Sequence, residues 1–166
     1  MNTILPLLPD VMMSWGKVRI VCGDSIRTAS AARRGGTPER DTLYVRVGQR
    51  RETRWDTQIC YGRLEEVLVC EVPNGKMWGE FSGETRLLAV ITPCSTNGQD
   101  ATARIVSHSR MVATIVTDIQ TVVAVVGRIP TRGKWGIIDR GPGSVKPEFV
   151  PSVDYIDPEA LEMVDE

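Results

Sequence analysis

Apolar residues in this chain come in short runs, mostly alternating with polar ones and repeatedly interrupted by glycine, proline or a cluster of charge. KVRIVC (17–22) and LYVRV (43–47) alternate, and QICYGRLEEVLVCEV (58–72) is longer. Its Val67–Val72 end favours a strand over a helix, and Gly62 suits a bulge. RLLAVIT (86–92) reads as a buried strand stopped by Pro93, and Ala101–Val106 and Met111–Val116 are two further candidates. Pro73-Asn74-Gly75 is a turn signal. A period of two, held over a few residues and then broken, cannot bury a helix face. It predicts an all-β domain, a small barrel or a sandwich.

The most apolar run is Val122–Ile129, at the start of VVAVVGRIPTRGKWGIIDR (122–140). Val122–Val126 reads as one strand, Pro130-Thr131-Arg132-Gly133 as a turn, and Trp135–Ile138 as the returning strand. Just before it, Asp118–Thr121 fits a single helical turn capped by Asp118. Pro158–Val164 is the best helix candidate, with Asp157 as its cap, whereas SAARRGGTPERD (30–41) reads as a loop. The organisation expected is a lead over residues 1–16, a β-barrel domain over 17–140, and an acidic tail with a short helix over 141–166.

With 166 residues, of which 42% are hydrophobic but only 5% aromatic, one core built on Val, Ile, Leu and Ala is expected. The net charge of −1 excludes whole-protein electrostatic steering towards polyanions. The charge is nevertheless segregated. Lys17–Arg54 holds ten bases (Lys17, Arg19, Arg27, Arg33, Arg34, Arg40, Arg46, Arg50, Arg51 and Arg54) against four acids. After Lys146 there are seven acids and no base. A solvated basic loop with an acidic tail explains this; so does an anion-binding face for which the tail competes.

Cys22, Cys60, Cys70 and Cys94 lie in no metal-knuckle spacing, and their apolar neighbours suggest small buried thiols in a reducing compartment. The N-terminal MNTILPLLPDVMM is short, lacks a basic start and is broken by Pro6 and Pro9, so neither a signal peptide nor a membrane span is expected. His108 is the one histidine; no GxSxG elbow, GxGxxG or GxxxxGK[ST] loop is present. No catalytic residue, metal or cofactor is assigned. If there were an enzyme site, Asp118, Asp139 and His108 would have to build it.

Two clusters mix bases with a tryptophan, the pairing that grips phosphates and stacks on bases. One is Arg46, Arg50, Arg51, Arg54 and Trp55; the other is Arg128, Arg132, Lys134, Trp135 and Arg140. The competing structural account is that Trp135 covers a barrel end while the bases stay in water.

Four ordered segments also resemble a known family: WGKVRIVCGDSIRTAS (15–30), ERDTLYVRV (39–47), ICYGRLEEVLVCEV (59–72) and TDIQTVVAVVGRIPTRGKWGIIDR (117–140). They look like a region downstream of the transposase core in Plavaka- and KDZ-type DNA-transposon proteins of mushroom-forming fungi. The resemblance implies a transposase-associated, non-catalytic β domain and a nuclear setting. Two departures limit it. The acidic catalytic core of such transposases is not among these residues, so cleavage is not carried over. Ala124 also stands where that family would have cysteine. YGRLEEVLV and VVAVVGR are more loosely similar to a bromo-adjacent homology domain, which implies an SH3-like barrel with long loops.

Three readings follow. The first is an intracellular module that binds DNA or a chromatin protein. The second is a protein-interaction module that self-associates through β edges, and the third is an enzyme of unrecognised type. No membrane partner is expected.

Overall fold

The computed structural model describes residues 8–20, 24–35, 42–50 and 57–140. Among the described residues, ten strands occur in chain order: β1 (Met13–Trp15), β2 (Lys17–Arg19), β3 (Ser25–Arg27), β4 (Tyr44–Arg50), β5 (Thr57–Glu71), β6 (Thr85–Pro93), β7 (Val106–His108), β8 (Ile115–Asp118), β9 (Val122–Thr131) and β10 (Lys134–Asp139), with one α-helix, α1 (Ala29–Gly35), between β3 and β4. The fold is all-β and barrel-like: one antiparallel sheet, ordered β7-β10-β9-β4-β5-β6-β8, curls into a half-barrel. β1 joins it alongside β5, and β2 and β3 form a separate two-stranded sheet.

β5 organises this sheet because it is long enough to serve two neighbours on one side. Its first half pairs with β4 and its second half with β1, while β6 runs along its other side. A bulge lets it do so with a continuous core. Leu64 lies opposite Ile91 and Glu66 opposite Val90, so Glu65 is the extra residue. The slip brings Leu64 and Val67 onto the same face, where strict alternation would have separated them. The bulge is thus at Glu65, not at Gly62. Gly62 instead admits close strand contact: a Cβ there would stand 2.6 Å from Ile91 Cγ2 and 2.9 Å from the Thr92 carbonyl oxygen.

The two faces bury different chemistry. One carries the apolar core of Val45, Val47, Leu64, Val67, Ala89, Ile91 and Val122, closed by Ile26 of β3. The other buries Tyr44, Tyr61, Cys94, Val126 and Ile137. Helix α1 lies where a loop was expected. Thr28, wholly buried, accepts the Ala31 amide on its hydroxyl, and Ala29 and Ala32 are buried one turn apart. Composition alone hid this, because the Gly, Pro and charge of the neighbouring residues outweighed three helix-favouring alanines.

Other boundaries moved for local reasons. Asp100 Oδ1 accepts from the amide and hydroxyl of Thr102, folding 101–104 into turns, so the strand begins only at Val106. Met111 makes a single bridge to Cys94, and β8 starts at Ile115. In the closing hairpin the strands run to Thr131 and Lys134, leaving Arg132 (φ 46°) and Gly133 (φ 76°) as a two-residue loop. Two positive φ values suit the twist of a tight hairpin. Pro130 sits in the strand opposite Trp135, beyond Val126, the last β9 residue paired with β4. As expected, Asp118 caps a short turn, accepting the Gln120 amide at 2.8 Å. Within the expected lead, Met13–Trp15 pairs with β5, and residues 1–7 lie outside the described residues. The expected helix at 158–164 lies outside the described residues, and among those residues no helix is long and apolar enough to cross a membrane.

Candidate nucleic-acid interface

Strand register determines where the bases go. Arg46 lies between Ala124 of β9 and Tyr61 of β5, and Tyr44 between Val126 and Arg63. Asp139 of β10 extends the Tyr44 row through Val126. Since cross-strand partners share a face, Arg46, Tyr44, Tyr61 and Asp139 are brought together on the polar face.

They form a network. The Asp139 side chain has no exposure; Tyr61 donates its hydroxyl to Asp139 Oδ2 at 2.8 Å, and Arg46 stands 3.5 Å from the same oxygen. The Ala101 amide donates to the Tyr61 hydroxyl at 2.9 Å, and Asp100 lies 3.9 Å from Arg46. This ties the β6–β7 connection to the sheet. Burial, with Asp139 and Asp100 nearby, pushes the Tyr61 phenol well above its ordinary value, so it remains a donor. Burial acts to raise Asp100, but the Thr102 hydrogen bonds, Arg46 and Tyr61 outweigh it and hold that carboxyl below the usual range.

Arg128 is held differently. Its guanidinium carbon lies 3.6 Å from the Tyr44 ring centroid and 4.4 Å from that of Trp135, which makes an aromatic–cation–aromatic stack. Trp135 keeps 39% exposure. Arg132 is at the hairpin tip, Lys134 follows it and Arg140 leaves the last strand; all three are exposed. No ion pair engages Arg132, Lys134 or Arg140 among the described residues.

The two basic clusters meet at one end, where Arg46 stands 3.5 Å from Asp139, the neighbour of Arg140, and diverge from there. Because β4 and β9 are antiparallel, β4 runs away from the hairpin tip. From Ala124, opposite Arg46, the tip at Arg132 is eight residues one way, and Arg50 is four residues the other way. At about 3.3 Å per residue the separation along the strands is about 40 Å. Arg51, Arg54 and Trp55 lie outside the described residues, and only the backbone of Arg50 is described.

Asp118, Asp139 and His108 do not assemble either. Asp118 is on β8 at one edge of the sheet and pairs with Arg86 at 3.0 Å; His108 is on β7 at the other edge. His108 is buried, its Nδ1 3.3 Å from the Arg110 carbonyl and its Nε2 without a hydrogen-bond partner. Burial, aided by the charge of Arg128, lowers its pKa below the ordinary 6.5 against the opposing effect of the Arg110 carbonyl. Cys70 and Cys94 are buried and Cys60 half-buried. Burial pushes the Cys94 thiol up to about 12, which leaves it unreactive at neutral pH.

Sequence reasoning singled out Arg46 and Asp139 separately but missed Tyr44, Tyr61 and Asp100. The available signal was the recurrence of tyrosine within alternating strands, since a buried phenol needs a polar partner. No protein-family model, curated protein or solved structure matches this chain.

Proposed function

We propose that this domain is a non-catalytic nucleic-acid-binding module whose contact element is the β9–β10 hairpin. The observation that carries the reading is the contrast between engaged and unengaged cations. Arg46 faces carboxylates and Arg128 is stacked between rings, whereas Arg132 at the hairpin tip and Lys134 and Arg140 on the face opposite Trp135 are exposed, without ion pairs among the described residues. Three exposed cations on one short hairpin match the chemistry of a phosphate backbone, and Trp135, partly open on the opposite face, offers a surface for an unstacked base. A two-residue loop and the Arg128 stack make the element rigid, which lowers the ordering cost of binding. A transposon-related origin and a nuclear setting belong to the same reading and rest on the ordered segments of the hairpin and of β5.

The test is the affinity for a labelled oligothymidine and for a duplex over a salt series. A chain carrying Arg132→Asn, Lys134→Gln and Arg140→Gln provides the comparison; asparagine suits the positive φ at the tip. Loss of three contacts to a single strand is expected to reduce the log–log salt slope by about 2. Weak binding with no salt dependence, unchanged by the three substitutions, would sink the reading.

A second reading is favoured by the apolar residues that share the face of Lys134 and Arg140. Ile129 and Ile138 are 51% and 41% exposed, on a sheet that ends at β7 and β8 among the described residues. These fit a protein partner or a second copy of the chain. Light scattering over a concentration series separates the two: a monomer throughout counts against self-association.

A further inference from the structure

The hairpin face opposite Trp135 combines charge and apolar surface in an order that the following chain matches. Along β10 and just beyond it, Lys134, Gly136, Ile138 and Arg140 alternate, so two cations bracket an exposed isoleucine. Across the hairpin Ile129 lies opposite Gly136, and Gly127 opposite Ile138. Gly136 leaves room for the facing isoleucine, since a Cβ there would stand 3.2 Å from Ile129 Cγ2, whereas one at Gly127 would make ordinary contact 3.6 Å from Ile138 Cβ. At the hairpin base a groove of about 480 Å³ is lined by Val125, Gly127, Ile138 and Arg140, and also by Asp24 and Ser25 at the start of β3.

Arg140, on the rim of that groove, is also where the chain leaves the sheet. The segment 147–166 that follows holds Glu148, Asp154, Asp157, Glu159, Glu162, Asp165 and Glu166 and no base, interleaved with Phe149, Val153, Tyr155 and Ile156. Gly141–Lys146 supplies six residues of connection, up to about 20 Å when extended, enough to turn back along the hairpin. Charge complementarity and this attachment point favour the chain's own segment over a partner from solution, because tethering gives it a high effective concentration.

We propose that the acidic segment 147–166 docks in cis on the Lys134–Arg140 face of the hairpin and competes there with an anionic ligand. The docking rests on the complementarity just described; the competition rests also on the nucleic-acid reading above. Since Arg132, Lys134 and Arg140 serve both, occupancy by the segment and by a polyanion would be mutually exclusive, and affinity would be set by how firmly the segment is held.

The experiment compares the full chain with a full-length variant carrying Glu148→Gln, Asp154→Asn, Asp157→Asn, Glu159→Gln, Glu162→Gln, Asp165→Asn and Glu166→Gln. NMR reads the Ile129 and Ile138 methyls and the Arg140 amide in both, at low and high salt. Distinct low-salt spectra that converge as salt is raised are expected, because screening releases a charge-held segment. Identical spectra at low salt overturn the docking. Affinity for an oligothymidine is then measured on both chains. Tighter binding by the variant is expected, by roughly tenfold, within the ordinary range of coupling between two sites. Equal affinities alongside distinct spectra overturn the competition and leave the docking. No binding by either chain overturns the nucleic-acid reading, and the spectra still decide the docking.

Discussion

At the centre of the sheet, Arg46 faces Asp139 and Asp100; at the hairpin tip, Arg132 and Lys134 carry the same charge with no ion pair among the described residues. Both regions belong to antiparallel strands of one sheet, and a sequence scan places both among clustered bases. Their energetic roles are opposite. A guanidinium beside a wholly buried carboxylate cannot be removed without leaving charge in a low-dielectric site, so it holds the fold together. An exposed cation contributes little to stability and remains available to a ligand. Basic character therefore does not by itself mark a binding surface; the surroundings of each base do.

The contrast can be broken most severely at Arg46. Replacing Arg46 with Met removes the guanidinium 3.5 Å from Asp139 and is expected to cost about 3 kcal/mol of stability, read by urea unfolding. Oligothymidine affinity of the folded variant should stay unchanged. A loss of affinity as large as that from the hairpin substitutions would make Arg46 part of the interface.

Tyr61→Phe is a narrower probe of the same network. It removes the donor to Asp139 and the acceptor for the Ala101 amide, and about 1–3 kcal/mol of destabilisation is expected. Faster hydrogen exchange at the Ala101 amide would show that the β6–β7 connection is released from the sheet; an unchanged rate would mean that Tyr61 does not anchor it.

Along the hairpin, Arg132→Asn, Lys134→Gln and Arg140→Gln should each change stability by no more than about 0.5 kcal/mol while lowering the salt slope of binding. A larger stability loss would place these bases in the fold after all.

His108 adds a pH dependence unrelated to either region. Its folded pKa lies below the ordinary 6.5, so the unfolded chain binds the proton more readily and stability falls as pH drops through that value. His108→Gln should flatten the dependence between pH 7 and the folded pKa. An unflattened curve would assign it to other groups.

Much of the fold was legible because strand alternation and turn chemistry are local. The β4, β5, β6 and β9 segments, the Asp118 cap and the closing hairpin all follow from neighbours within a few residues. What escaped was relational. The Glu65 bulge depends on which β5 residues face β6, and α1 depends on Thr28 and two alanines finding a buried surface. The hairpin loop shrank to Arg132-Gly133 because β9 and β10 keep pairing past Pro130.

Taken by itself, the sequence determined an all-β, barrel-like chain, the place of its last hairpin, and two stretches rich in base. Only tertiary structure decided that the stretches meet where Arg46 stands beside Asp139 and diverge from there, leaving Arg50 and the hairpin tip about 40 Å apart along antiparallel strands. It also decided that Arg46 meets Asp139 while Arg132, Lys134 and Arg140 form no ion pair among the described residues. The physical reason is that alternation is encoded residue by residue, whereas the partner of a charge depends on strand register, and register is set by bulges and pairings between segments far apart in the chain.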